Sequence, residues 1–147
     1  TGAYDLADAM PLGVSWTDPR GVTYTGTGAG TGSVVNWDLQ ARTSGADLNG
    51  RTRRPRYIGL LHELVHSWQD SRGVLNRNVN AAGVRFSEVE AVQWENKFRV
   101  QLGFLGLFGL TPRRDYNSVT TGAPVNVYDP QFRYKYYHYN SRTDRYY

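Results

Sequence analysis

The segment YIGLLHELVHSWQD, Tyr57 to Asp70, constrains the fold more than any other part of the chain. Tyr57, Ile58, Leu61, Val65 and Trp68 recur at helical spacing, Pro55 precedes them, and Gly73 follows as a C-cap. The pattern predicts a helix between Pro55 and Gly73. His62 and His66 are four residues apart, so on that helix their rings leave one face about 40° apart and can reach one metal ion. Glu63, about 100° around from His62, lies beside such an ion without ligating it. This order suits a general base acting on metal-bound water, whose pKa a metal lowers from about 15.7 toward about 7. Leu60, Leu61, Leu64 and Val65 surround the histidines, and imidazoles in an apolar setting are costly unless their nitrogens are satisfied. A zinc ion satisfies them; a hydrogen-bonded pair of core histidines is the alternative reading.

A catalytic zinc needs three protein ligands and an open position. The chain has no cysteine, which excludes disulfides, thiolate ligands and a cysteine nucleophile, so further ligands must come from His, Asp or Glu. A second helix is expected from Ser87 to about Leu102, opened by SEVE, in which Ser87 and Glu90 have the form of a capping box. Advancing by about 100° per residue from Glu88 brings Val92, Glu95, Arg99 and Leu102 within about 40° of it. Ala91 and Phe98 flank that stripe, whereas Glu90 falls with Gln93, Lys97 and Gln101 on a polar face. Glu88 is therefore the favoured third ligand. Glu95 and Arg99, which also interrupt the apolar stripe, read either as a helix ion pair or as groups that hold the ligands in position. Asp70 is the runner-up ligand, with a solvent-facing helix end as its plainer reading. His138, set among tyrosines, reads as aromatic packing.

A length of 147 residues fits one domain, able to bury its core without a structural metal. Residues 1–147 are expected to form a single domain excised from a longer protein, because Thr1 follows no charged-then-apolar leader. The first fifty residues carry two β-like segments, GVTYTG (Gly21 to Gly26) and SVVNWD (Ser33 to Asp38), which predict a hairpin or meander. The intervening TGAGTG lacks the phosphate-loop pattern and reads as a flexible loop. The tyrosine-rich stretch from Ser118 to Asn140 reads as an edge strand or a packed tail. The longest apolar run, FLGLFGL, is too short and glycine-broken to span a membrane. With a formal charge of +4 and a pI near 9.5, the chain tolerates acidic partners. Its densest basic cluster, RTRRPR (Arg51 to Arg56), accompanies no nucleic-acid motif, so it reads as a solvated loop and nucleic acid is not an expected partner.

YIGLLHELVHSWQ, followed by EVEAVQWENKFRVQLG and then TPRRDY, resembles the secreted-effector zinc metallopeptidases of the NleD type. It is similar too to the toxin domains at the C-termini of Rhs-like polymorphic toxins. GTGSVVNWD resembles the glycine-serine strand ahead of the catalytic helix in that family. The resemblance implies an α+β, zincin-like fold: a small, mostly antiparallel sheet packed on the catalytic helix, and a second helix carrying the third ligand. It makes His62 and His66 zinc ligands, Glu63 the catalytic base and Glu88, in an E-x-x-A pattern, the third ligand. Tyr116 would donate to the tetrahedral oxyanion. Val92 stands where many gluzincins have an aspartate that supports the ligands. The implied function is a Zn2+-dependent endopeptidase, a toxin or effector delivered by a specialised secretion system. Its expected partners are a protein or peptide substrate in the target cell and a cognate immunity protein. The alternatives are a zinc amidase acting on cell-wall peptides with the same residues, and a non-enzymatic module binding through its basic patch.

Overall fold

The computed structural model describes residues 1–104, 110–131, 139–140 and 145–146. Among the described residues, three helices and eight short strands follow one another. They are β1 (Gly2–Ala3), α1 (Leu6–Ala9), β2 (Ser15–Thr17), β3 (Thr23–Thr25), β4 (Ser33–Val34), α2 (Arg56–Arg72), α3 (Phe86–Phe104), β5 (Asp115–Asn117), β6 (Pro124–Asn126), β7 (Tyr139–Asn140) and β8 (Arg145–Tyr146). The class is α+β. The strands form antiparallel two-stranded ribbons, β1 with β4, β2 with β3, β5 with β6 and β7 with β8, rather than the single small sheet expected. With two or three residues each, they are too short to offer a ladder to a third strand. The β1–β4 ribbon is the one set against α2, where Ser33 Oγ donates to Ser67 Oγ at 2.8 Å.

Helix α2 takes the limits its punctuation dictates. Pro55 is the N-cap, and its carbonyl accepts from the Ile58 and Gly59 amides. Gly73 closes the helix in the left-handed region at φ 63°, its N–H turned back to the Asp70 and Gln69 carbonyls. A Cβ on Gly73 would also sit 2.5 Å from the carbonyl of Gly28, so two glycines allow the backbones to touch. The Gly28 contact belongs to TGAGTG, which is therefore not a loose loop. The Gly30 amide donates to Asp8 O at 2.8 Å, the Thr31 amide donates to Asp70 O at 2.9 Å, and a Cβ on Gly30 would overlap the Ser71 carbonyl. Glycine is needed here to lay the chain across the end of α2. That crossing also separates the two β-like segments: β3 folds back on β2, and β4 pairs with the distant β1.

Helix α3 begins one residue before Ser87. The Arg85 carbonyl accepts the first helical bond, from Val89 N at 3.0 Å, so Arg85 is the cap and Ser87 lies inside the first turn. The Ser87 amide donates to Asn76 O at 2.9 Å, and the expected Ser87–Glu90 box does not form at the cap. Val84, Val92 and Val127 make the buried apolar cluster beneath α3, with Val89, Tyr116 and Val125 packed on it. Ala91, Glu95 and Arg99 are buried on the same side, as the angular count predicted for that stripe. Gln93, assigned to the polar face, is also buried and donates to Val127 O at 2.6 Å. His138 and most of FLGLFGL lie outside the described residues. Among the described residues, no helix is long and apolar enough to cross a membrane.

Gly73→Ala should destabilise the protein by about 2 kcal/mol or more, because alanine meets both a strained φ and the Gly28 backbone. Thermal denaturation of the two forms measures it, and an unchanged melting temperature would show that this packing is not needed.

A candidate metal centre between two helices

Helix α2 presents His62 and His66 from one face, and α3 presents Glu88 from its first turn. The three side chains converge: Glu88 Oε2 is 3.0 Å from His62 Nε2 and 3.2 Å from His66 Nε2. One ligand atom from each lies within 4.8 Å of the others. Donors around a tetrahedral zinc, with bonds of about 2.0–2.1 Å, lie about 3.3 Å apart. The trio therefore has the separations and the nitrogen and oxygen chemistry of a metal site. Asp70 is buried but stands outside this trio, and Glu90 has Gln69 and Trp94 as hydrogen-bonding neighbours instead.

The remote nitrogen of each histidine faces an oxygen. His66 Nδ1 donates to Gln69 Oε1 at 2.9 Å, and Gln69 in turn donates from Nε2 to Ser87 O at 3.0 Å. Gln69 is three residues along α2 from His66, within reach of it on one helical face. That spacing, visible in HSWQ, was the signal that sequence reasoning passed over. His62 Nδ1 lies 3.3 Å from Glu95 Oε1. Each pairing leaves Nε2 turned toward Glu88, the arrangement by which a second group orients a metal-ligating imidazole.

Glu95 is fully buried among cations. Arg99 Nε donates to its Oε2 at 2.9 Å, and Arg113 Nη1 and Arg54 Nη1 approach its Oε1 at 3.5 and 3.6 Å. Burial pushes the Glu95 carboxyl up, but His62, Arg113 and Arg99 outweigh it and hold the pKa down at about 2. Neither Arg54 nor Arg113 was among the residues expected here. Arg113 also donates from Nε to Asp115 O at 2.8 Å, tying the network to β5.

Tyr116, on β5, stacks on His62 with ring planes 10° apart and lies under the Arg113 guanidinium. Burial first, and the neighbouring Glu88 carboxylate second, push its hydroxyl well above the ordinary tyrosine value. It therefore stays a proton donor. Glu63 is half-buried at the cleft, where its Oε2 accepts from Thr1 Oγ1 at 2.7 Å. Cavities of about 390 and 490 Å³ meet at His62, Glu63 and Tyr116, one on each side of them.

Burial lowers the His62 pKa, but Glu88 and Glu95 on its two nitrogens reverse the sign and raise it to about 9. Two carboxylates facing one imidazole favour a second proton on the ring. The same ring can instead hold a metal at Nε2 and a single proton on Nδ1.

The family model described as Peptidase M91, effector protein, matches residues 9–100. No curated protein and no solved structure gives a significant match.

In chelated protein the His62 proton stabilises the fold fully below pH 6.5, and that contribution is lost as pH rises through about 9. The melting temperature of chelated protein should therefore fall across this window. A saturating divalent transition metal, taking the place of that proton, should remove the fall. Parallel melting curves with and without metal would contradict the assignment.

Proposed function

The chain belongs to the M91 effector peptidase family, and from that premise we propose that it is a zinc-dependent endopeptidase of a delivered toxin or effector. The convergence of His62, His66 and Glu88 donor atoms within 4.8 Å carries this reading. Two imidazoles and one carboxylate are a ligand set that leaves a tetrahedral ion one open position. A zinc ion held there would acidify a bound water and polarise the scissile carbonyl.

The protein's own groups do the rest. Glu63, at the cleft beside the trio, takes the proton from the attacking water and carries it to the leaving amine. Tyr116, held neutral, donates its hydroxyl hydrogen to the oxygen on which negative charge develops. Glu95 fixes the tautomer and aim of His62 from behind, with Arg99 and Arg113 keeping that carboxylate ionised; Gln69 does the same for His66. Cavities on both sides of Glu63 give an extended chain room before and after the bond, which favours an endopeptidase over an exopeptidase.

The zincin-like arrangement follows the same logic: α2 supplies two ligands and the base, and α3 the third ligand. Residues 1–147 carry the catalytic unit, which is delivered into a target cell. There it meets its protein substrate, and an immunity protein guards the producing cell.

Glu63→Gln should retain one zinc per chain and the wild-type fold while lowering turnover roughly 10²- to 10⁴-fold. Metal analysis and cleavage of a denatured protein, measured on the same sample, test this. Hydrolysis persisting at the wild-type rate would remove Glu63 from its role.

A further inference from the structure

Six of the described arginines have carboxylate partners. Arg54, Arg99 and Arg113 sit behind the metal trio and share Glu95; Arg20, Arg51 and Arg114 each have an aspartate. Arg77 and Arg85 differ. Both are half-buried and line the 390 Å³ cavity beside Glu63 and Glu88, yet neither guanidinium makes a hydrogen bond or an ion pair among the described residues. The Arg77 guanidinium rests on the Trp16 ring, 4.9 Å from its centroid, which fixes it without neutralising it. Arg85 is the N-cap of α3 and bridges to Val79 through the backbone, so it too stands on a fixed support.

Two unpaired cations at the edge of a cleft are costly. Burial and the repulsion of Arg85 both push the Arg77 pKa down, and only Asp70, Glu88 and Tyr24 act the other way. Of the two nearby carboxylates, Glu88 is committed to the metal trio, and Asp70, whose pKa burial raises, makes no ion pair with either arginine among the described residues. An anion entering the cavity would relieve this imbalance. On the far side of Glu63, in the 490 Å³ cavity, the arginines are Arg54 and Arg113, both already tied to Glu95. Of the two cavities that meet at Glu63, the 390 Å³ one is therefore the one lined by arginines without a carboxylate partner among the described residues.

We infer that Arg77 and Arg85 form a specificity subsite that takes an anionic side chain of the substrate, carboxylate or phosphate, on one side of the scissile bond. This rests on the peptidase reading and adds to it a substrate class: peptides acidic on one flank of the cut. A guanidinium pair discriminates by attraction to the acid and by repulsion of lysine or arginine at the same position. Charge-assisted hydrogen bonds of this kind correspond to a preference of roughly 10- to 100-fold over a neutral side chain.

Zinc-loaded protein should be given a cell-derived peptide library in two halves, one treated with phosphatase, and the cut sites read by mass spectrometry. Enrichment of Asp or Glu at one flanking position in both halves assigns the subsite to carboxylates. Enrichment of phosphorylated residues in the untreated half alone assigns it to phosphate. In Arg85→Gln the ratio of kcat/KM for acidic over neutral peptides should fall roughly tenfold or more, while Arg85→Lys should keep the preference. Cutting with no acidic enrichment would overturn the subsite and leave the peptidase reading standing. Absence of any cutting would instead count against the peptidase reading. The subsite is then decided by titrating inorganic phosphate against tryptophan fluorescence, since Trp16 lies beneath Arg77. Saturable binding weakened roughly tenfold in Arg85→Gln supports it, and no saturable change, or equal affinity in the variant, overturns it.

Discussion

The buried carboxylate of Glu95 is the contact on which the site depends. It joins His62 of α2, Arg99 of α3, Arg54 ahead of α2 and Arg113 ahead of β5, with distances from 2.9 to 3.6 Å. These groups come from four different parts of the chain, and only the Arg99 contact, four residues along α3 from Glu95, is local. Removing the carboxylate would leave buried guanidinium groups uncompensated, a cost of about 3–5 kcal/mol. That is a large part of the stability of a domain this size. A cluster so expensive to break sets the spacing of the helices and, through it, the approach of Glu88 to the two histidines.

The arrangement also separates charge by task. Behind the trio the arginines are used up by Glu95, and they make an ionised, immobile support for His62. In front of it, Arg77 and Arg85 are fixed by Trp16 and by the start of α3, and their guanidinium groups have no carboxylate partner among the described residues. Between these layers lie Glu63 and the Tyr116 hydroxyl, which burial and Glu88 keep protonated. The same sign of charge thus acts structurally on one side of the trio and lines an open cavity on the other. A metal fits between them because Glu88 and Glu95, on the two nitrogens of His62, favour positive charge there, either as a second proton on the ring or as a metal at Nε2.

The sequence makes the helices legible because their information is local. Periodicity, Pro55 and Gly73 bound α2, and counting about 100° per residue puts Glu88, Glu95 and Arg99 on the buried stripe of α3 before any contact is known. The family match over residues 9–100 agrees with the resemblance drawn from HELVH and its downstream partners. Strand pairing was not legible: β4 is two residues long, and nothing within it names Gly2–Ala3 as its partner. The glycine run looked loose because close backbone packing and flexibility require the same residue. Ser87 looked like a cap because the serine-to-glutamate spacing is right, although the chain enters the helix at Arg85. Gln69 was within reach by spacing, whereas Arg77 and Arg85 carry no pattern; only the fold places them in the cleft.

If the trio backed by Glu95 and Gln69 is a metal-binding unit rather than a satisfied pair of core histidines, its side chains ligate zinc directly. Zinc K-edge absorption on protein reconstituted with one equivalent of metal tests it most directly. The expected spectrum shows two imidazole nitrogens and oxygen ligands at about 2.0–2.1 Å, in four-coordinate geometry. A spectrum with no imidazole scattering, from zinc held loosely by water and surface carboxylates, would contradict it.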